Sequence, residues 1–365
     1  MRNELVKNCL ALENTIVMTS SVSNLFEPPK CGERGNEHML VATPSSTTLA
    51  TTNSHKTYGA GCSEVKTKKP RLIGKGSFST VFYLKGRAIK LVSVHHSQML
   101  EREYKVLKLL EGCCNIIRAI RLSHREGKES FLVMEYGGRD MFDALPFLTA
   151  EDKMFTYLQV SHALEYMHER DIVHLDIKVE NVVIDATRRV RIVDFGFARV
   201  LSAQECTVRS MKGVIGSRAY SCPEMLRSAL YNGFEADSWS MGVFLFVMWH
   251  NCMLWTIAVA TIDMRFAHFE KHAELMSSSA YFQKYCTCGM SDTPEWVWAI
   301  IDATIVLDPD RRQRRWSLGV GGTNVTFKYP TLASNSVQKG RGCENNMHVI
   351  FQWLDVHVEI RRGAV

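Results

Sequence analysis

The run His174-Leu175-Asp176-Ile177-Lys178-Val179-Glu180-Asn181, followed after a short gap by Asp194-Phe195-Gly196, constrains this chain more than any other stretch. Between the two, Val182-Val183-Ile184 and Val190-Arg191-Ile192-Val193 read as short β-strands with a turn at Asp185-Ala186-Thr187. A hairpin of that size brings Asp176, Asn181 and Asp194 to one edge of a sheet. Such a cluster suits phosphoryl transfer from a nucleotide. One carboxylate accepts the proton of an incoming hydroxyl, while the amide and the second carboxylate hold magnesium on the phosphates. Lys178 adds positive charge where the transferred group is most electron-rich. A solvated hairpin with incidental acids is the plain alternative, and the length of the spaced match weighs against it.

On these residues the sequence resembles the eukaryotic protein kinases, with Asp176 at the position of the catalytic base and Asn181 and Asp194 at those of the metal ligands. A second motif strengthens the resemblance. Ile73-Gly74-Lys75-Gly76-Ser77-Phe78-Ser79-Thr80-Val81 is a glycine-rich turn between strand-formers, where the missing β-carbons let backbone approach phosphates. Ser79 stands where the family has its third glycine. The resemblance implies that Lys90, in Ala88-Ile89-Lys90, meets the phosphates, and that Val81 and Ala88 cover the adenine from above. It also implies a helix glutamate paired with Lys90. Leu100, Val106, Leu107, Leu109 and Leu110 give that helix its amphipathic period, and both Glu103 and Glu101 are candidates, with Glu103 ahead.

Phe131-Leu132-Val133-Met134 reads as a buried strand leading into Glu135-Tyr136-Gly137-Gly138. By resemblance, Met134 guards the back of an ATP pocket, backbone groups of Glu135 and Gly137 meet the adenine, and Val183 closes it from below. Asp140 is either the acid that receives the ribose hydroxyls or a helix N-cap. Further on, His174 is implied to pack near Phe195, with a structural part to play. Thr207 and Ser210 are phosphorylation candidates in a polar segment. Gly216 to Glu224 resembles the end of an activation segment, with Cys222 replacing the common alanine, and Glu224 is expected to be buried against Arg312. Lys178 and Gly216-Ser217 fit the serine/threonine type. One departure stands out: Leu175 occupies the place where many kinases have arginine before the catalytic aspartate.

Composition bounds the rest. A formal charge of +6 over 365 residues is mild and gives no sign of a specific nucleic-acid binder. The 11 cysteines follow no paired zinc spacing and, with no secretory run at the N-terminus, read as reduced thiols of a cytoplasmic or nuclear protein. Trp239 to Ile262 is apolar and long enough to span a bilayer. Its opening, Asp237-Ser238-Trp239-Ser240-Met241-Gly242, looks like the buried central helix of a kinase large lobe, which favours core over membrane insertion.

The expected organisation is an arm over residues 1–67 with too little apolar surface to order itself, a kinase domain over 68–315, and a tail over 316–365 whose one apolar run, His348 to Val358, is a strand or helix. Lys66 to Arg71 is a short basic run, a nuclear-import patch or a solvated boundary. The fold expected is α+β and two-lobed, with a small β-rich lobe over a larger helical one. The function implied is transfer of the γ-phosphoryl group of MgATP to serine or threonine of protein substrates, under a regulatory partner or the arm. The rival is a kinase-like signalling scaffold, marked by loss of Lys90, Asp176 or Asp194, all of which are present.

Overall fold

A computed structural model describes residues 69–125, 129–206, 209–286 and 292–313, with the backbone of Leu318–Val320 and Thr323–Val325. The expectations for the arm, for Thr207 and for the run His348 to Val358 lie outside the described residues. A boundary falls after Arg71, and the account below concerns the unit that follows it.

The small lobe is a five-stranded sheet with one helix. Strands β1 (Arg71–Lys75), β2 (Ser79–Leu84), β3 (Arg87–Val92), β4 (Ala119–His124) and β5 (Ser130–Glu135) lie in the order β1-β2-β3-β5-β4. Lys85 and Gly86, both at positive φ (46° and 76°), make the two-residue turn between β2 and β3, whose twist matches that of the strands. The register sets Val81 opposite Lys90 and Ala88 opposite Met134. Helix α1 (Ser97–Leu109) packs on β4 and β5 with one stripe, Leu100, Glu103, Val106 and Leu107, at helical spacing. A glutamate in that stripe needs a cation, and β3 supplies one.

The large lobe begins with β6 (Arg139–Asp140) and the short α2 (Met141–Ala144). Helix α3 (Ala150–His168) is opened by Thr149 and Asp152, which form a reciprocal capping box at its start. Then come β7 (Ile172–Val173), β8 (Val182–Ile184), β9 (Val190–Ile192) and β10 (Arg199–Val200). Strands β8 and β9 form the expected hairpin, extended by β6 into a sheet ordered β6-β8-β9, while β10 pairs with β7.

Helices α4 (Pro223–Leu226), α5 (Gly233–His250), α6 (Met264–His272), α7 (Ser278–Tyr285) and α8 (Glu295–Thr304) complete the lobe. Helix α5 is buried from Gly233 through Met248, which is why its sequence shows no polar face. A β-carbon on Gly242 would stand 2.2 Å from the Thr304 hydroxyl, so α5 and α8 touch closely there. Side chains such as Phe244, Leu245 and Phe246 each contribute roughly 1.5–3 kcal/mol by their burial.

The apolar stretch from Trp239 to Ile262 is not one helix. Asn251, in a left-handed conformation (φ 51°), ends α5, and the chain turns so that Trp255 stacks on Trp239 at 5.8 Å. Among the described residues no helix is long and apolar enough to cross a membrane. After Arg312 the backbone forms an antiparallel hairpin, β11 (Leu318–Val320) with β12 (Thr323–Val325), an element the sequence pattern had not marked. The Gly321-Gly322 pair that lies between them in the sequence is a turn signal that could have marked it.

Candidate active site

The first cluster forms where β3 meets α1. Lys90 Nζ donates to Glu103 Oε1 at 2.9 Å and Oε2 at 2.7 Å, and to Asp194 Oδ1 at 2.7 Å. The Lys90 and Glu103 side chains are 4% and 0% exposed. Burial opposes the charge on Lys90, but the two carboxylates outweigh it and hold the amine protonated well above its ordinary range. Glu101, the competing partner, is a surface residue 3.6 Å from His124. The choice between the two glutamates is therefore settled by packing: Glu103 lies on the buried stripe of α1 and Glu101 does not.

Asp194 sits in the turn after β9 at φ 61°, a left-handed backbone that costs a non-glycine residue about 1–2 kcal/mol. Its Oδ1 receives Lys90 and the Gly196 amide (3.3 Å). Burial would raise its pKa, but the Lys90 charge and hydrogen bond prevail and hold the carboxyl below its usual range. The Phe195 amide meets Glu103 Oε1 at 3.3 Å, and the Phe195 ring stands edge-on to His174 at 4.9 Å, as expected. Burial keeps the His174 imidazole neutral, and its Nδ1 accepts the Asp176 amide at 3.2 Å.

The second cluster surrounds Asp176. Its Oδ1 accepts the Ser217 amide (2.7 Å), and its Oδ2 accepts Asn181 Nδ2 (2.9 Å) and lies 3.0 Å from Lys178 Nζ. Lys178 also donates to the Ser217 hydroxyl at 2.7 Å, and Asn181 Nδ2 to the Asp176 carbonyl at 2.8 Å. The hairpin thus gathers Asp176, Asn181 and Asp194 at its base, as its size implied. Beneath them lies a residue whose part sequence reasoning missed. Asp237, buried in α5, accepts the His174 amide at 2.8 Å, the Leu175 amide at 2.7 Å and His168 Nε2 at 3.0 Å. It fixes Leu175 at φ 64°, the kink that presents Asp176. Asp237 was visible only as the start of a helix motif.

The pocket residues fall along the seam between the lobes. Gly76 N–H closes the glycine-rich turn on the Ser79 carbonyl at 2.9 Å, and Gly74 faces Val81. Ile73, Lys75 and Ser77 are exposed, and Phe78 leans its ring on His96 at 4.8 Å. Ala88 and Met134 pair on neighbouring strands. The Glu135 amide is taken by the Arg118 carbonyl (3.1 Å), so a purine contact from Glu135 falls to its carbonyl. Gly137 presses on Val183, where a β-carbon would come within 2.5 Å of the valine methyl. Arg191, another missed residue, ties this junction together: it bonds the Gly137 carbonyl (3.4 Å) and Asp185 (3.1 Å) and pairs with Glu135 at 3.3 Å. Asp140 caps α2 through the Phe142 amide at 2.7 Å, the second of its two expected roles.

Gly216 and Ser217 bring the segment that ends at Glu224 against the catalytic loop. Gly216, at φ 79°, lies against the Leu175 carbonyl, which a β-carbon there would meet at 2.2 Å. Glu224 is bound by Arg312 through both terminal guanidinium nitrogens, one of them at 2.9 Å from Oε2. The Arg312 guanidinium also lies 4.8 Å above the Trp239 ring. Arg312 opposes the burial of Glu224 and keeps it ionised.

A family model described as the protein kinase domain matches residues 67–315. The chain is 29% identical to the human Testis-specific serine/threonine-protein kinase 4 over 244 residues, 59% of this chain and 70% of that one. It is 35% identical over 155 residues to a Probable serine/threonine-protein kinase MARK-A of Dictyostelium discoideum, covering 41% of this chain and 14% of the relative. The Carbon catabolite-derepressing protein kinase of Saccharomyces cerevisiae is 35% identical over 155 residues, 41% of this chain and 23% of that relative. The last two matches therefore span less than a quarter of the relatives' own length. With the two lobes, the Lys90–Glu103–Asp194 cluster and the loop around Asp176 in place, the chain belongs to the protein kinase family.

Proposed function

We propose that this chain is a protein serine/threonine kinase that moves the γ-phosphoryl group of MgATP to serine or threonine hydroxyls of protein substrates. The observation that carries this reading is the setting of Asp176: a carboxylate aimed by Asn181 and the Ser217 amide, with Lys178 3.0 Å away, on a loop anchored by Asp237. In the reaction a substrate hydroxyl oxygen forms the bond to the γ-phosphorus, its proton passes to Asp176, and the bond to the β-phosphate oxygen breaks to release ADP. Lys178 meets the charge on the transferred group. Lys90 holds the other phosphates, under the glycine-rich turn from Ile73 to Val81. Ala88, Met134, Glu135, Gly137 and Val183 form the adenine seat. Relatives named as serine/threonine kinases support the substrate class.

The residues present suit magnesium. Among the described residues no three histidines, cysteines or acids gather into a metal cluster. Asp194 is 44% exposed at its side chain, and Asn181 uses its amide nitrogen on Asp176, which turns its carbonyl oxygen to other partners. Two hard oxygen donors, completed by phosphates and water, are the usual protein share of a magnesium site. When bound, the ion neutralises phosphate charge. We place the protein in a reducing compartment, cytoplasm or nucleus, a reading consistent with free thiols at Cys113, Cys206 and Cys222.

The test is a radiolabelled MgATP assay of the purified protein on generic proteins and a peptide library, beside Asp176→Asn. Label is expected on serine and threonine with the parent and none with the variant, which should still bind nucleotide. Equal labelling by the two proteins, or none by the parent on any substrate, overturns the proposal.

A further inference from the structure

Arg209 lies upstream of Ser217, the residue that meets Asp176, and is held by acids on two different elements. Its Nε donates to Glu235 Oε2 at 3.1 Å, and its terminal nitrogen binds Asp310. Glu235 belongs to the first turn of α5 and its side chain is 4% exposed. Asp310 lies in the short turn Pro309–Arg311 that precedes Arg312. Arg312 in turn holds Glu224 and reaches the Glu235 carbonyl at 3.4 Å. One network thus grips the segment at two points, Arg209 and Glu224, with Ser217 about midway between them. Between Arg209 and Ser217 the chain is guided further. Met211 and Tyr231 exchange both backbone hydrogen bonds, at 3.1 and 3.0 Å, and Gly216 rests on the Leu175 carbonyl.

We infer that Arg209 is a positioning residue: by bridging Glu235 and Asp310 it sets the segment so that Ser217 meets Asp176 and Lys178. A planar guanidinium can serve two carboxylates at once, which an ammonium does less well. The charge that Arg209 brings is internal to the chain, so no added phosphate is needed to complete the network. Leu175 fits the same economy. Buried and apolar, it leaves no unpaired cation beside Asp176 for a phosphate to neutralise. Ser210, exposed next to Arg209, takes on an unusual meaning. A phosphate there would compete with Glu235 and Asp310 for the guanidinium and loosen the segment.

The inference rests on the kinase reading, and two measurements keep their failures apart. Hydrogen exchange needs no turnover. In Arg209→Ala the Ser217 amide should exchange about tenfold faster, the equivalent of roughly 1.4 kcal/mol, with the core of α5 unchanged. Exchange at the parent rate overturns the positioning role of Arg209 whatever the activity. Steady-state kinetics on full-length, dephosphorylated protein then read the consequence. Arg209→Ala should lower kcat/KM for a peptide substrate on the order of tenfold and leave the KM for ATP near that of the parent. Arg209→Lys should recover part of the loss, and Asp310→Asn should add little to Arg209→Ala because both break one bridge. An unchanged kcat/KM for the peptide, or an equal loss for ATP, overturns the inference. A parent that labels no substrate refutes the kinase reading instead.

Discussion

Replacing Asp237 by alanine tests how much of the catalytic loop is held from below. The carboxylate is fully buried and accepts two backbone amides, His174 at 2.8 Å and Leu175 at 2.7 Å. Each donor left without a partner costs about 1–3 kcal/mol, so the pair sums to about 2–6 kcal/mol. Part of this can escape by letting Leu175 leave its left-handed conformation, which relieves about 1–2 kcal/mol but moves Asp176, the next residue. Asp237→Ala is therefore expected to lose stability at the lower end of that range and nearly all turnover. Asp237→Asn keeps one carbonyl acceptor and should lose about half as much stability. Urea unfolding gives the first quantity, and exchange of the His174 and Leu175 amides reports the loop directly. If Asp237→Ala unfolds at the parental urea midpoint and those amides stay protected, the anchoring argument fails.

Three other outcomes are expected. Lys90→Met should lower turnover by orders of magnitude while the fold survives, measured by kcat beside circular dichroism; near-parental activity would transfer the phosphate role to another lysine such as Lys75 or Lys85. Asp194→Ala should abolish both activity and the dependence of ATP affinity on magnesium, read by titration calorimetry with and without the ion. A parental response to magnesium would place the metal ligands elsewhere. Finally, protein treated with phosphatase and verified by mass spectrometry should keep appreciable turnover, with Ser210→Glu giving no increase. A collapse restored by Thr207→Glu or Ser210→Glu would refute control without segment phosphorylation.

The parts of the site legible in the sequence are those compressed into short runs. His174 to Asn181 and Asp194-Phe195-Gly196 flank the two strands of one hairpin, so spacing alone predicted that they converge. Lys90 and Glu103 were harder, because strand register and helix phase together decide which glutamate faces the sheet. The stripe of Leu100, Val106 and Leu107 carried that information and put Glu103 on the buried face. Asp237, Arg191 and Arg209 were not legible as partners. Their contacts join residues 62, 54 and 26 positions apart, and no local periodicity encodes such pairs. The membrane-length apolar run was ambiguous by hydropathy for the opposite reason, and only its opening motif favoured the core. Hydropathy records burial but not direction, and the bend at Asn251 changes a spanning length into a buried helix followed by a loop that is buried only in part, at Leu254, Trp255 and Ala258.

The pairing of Lys90 with Asp194 has a consequence for the order in which ligands arrive. A lysine carries three protons, and in this structure the three shortest contacts of Lys90 are with carboxylate oxygens. A triphosphate that claims one of them must take it from Asp194 more readily than from the fully buried Glu103. The carboxylate so released would keep its negative charge with its partner gone, and so be open to a divalent cation arriving with the nucleotide. The exchange is a linkage: each ligand removes part of the other's competitor, so each should bind more tightly in the other's presence, by the same factor in both directions.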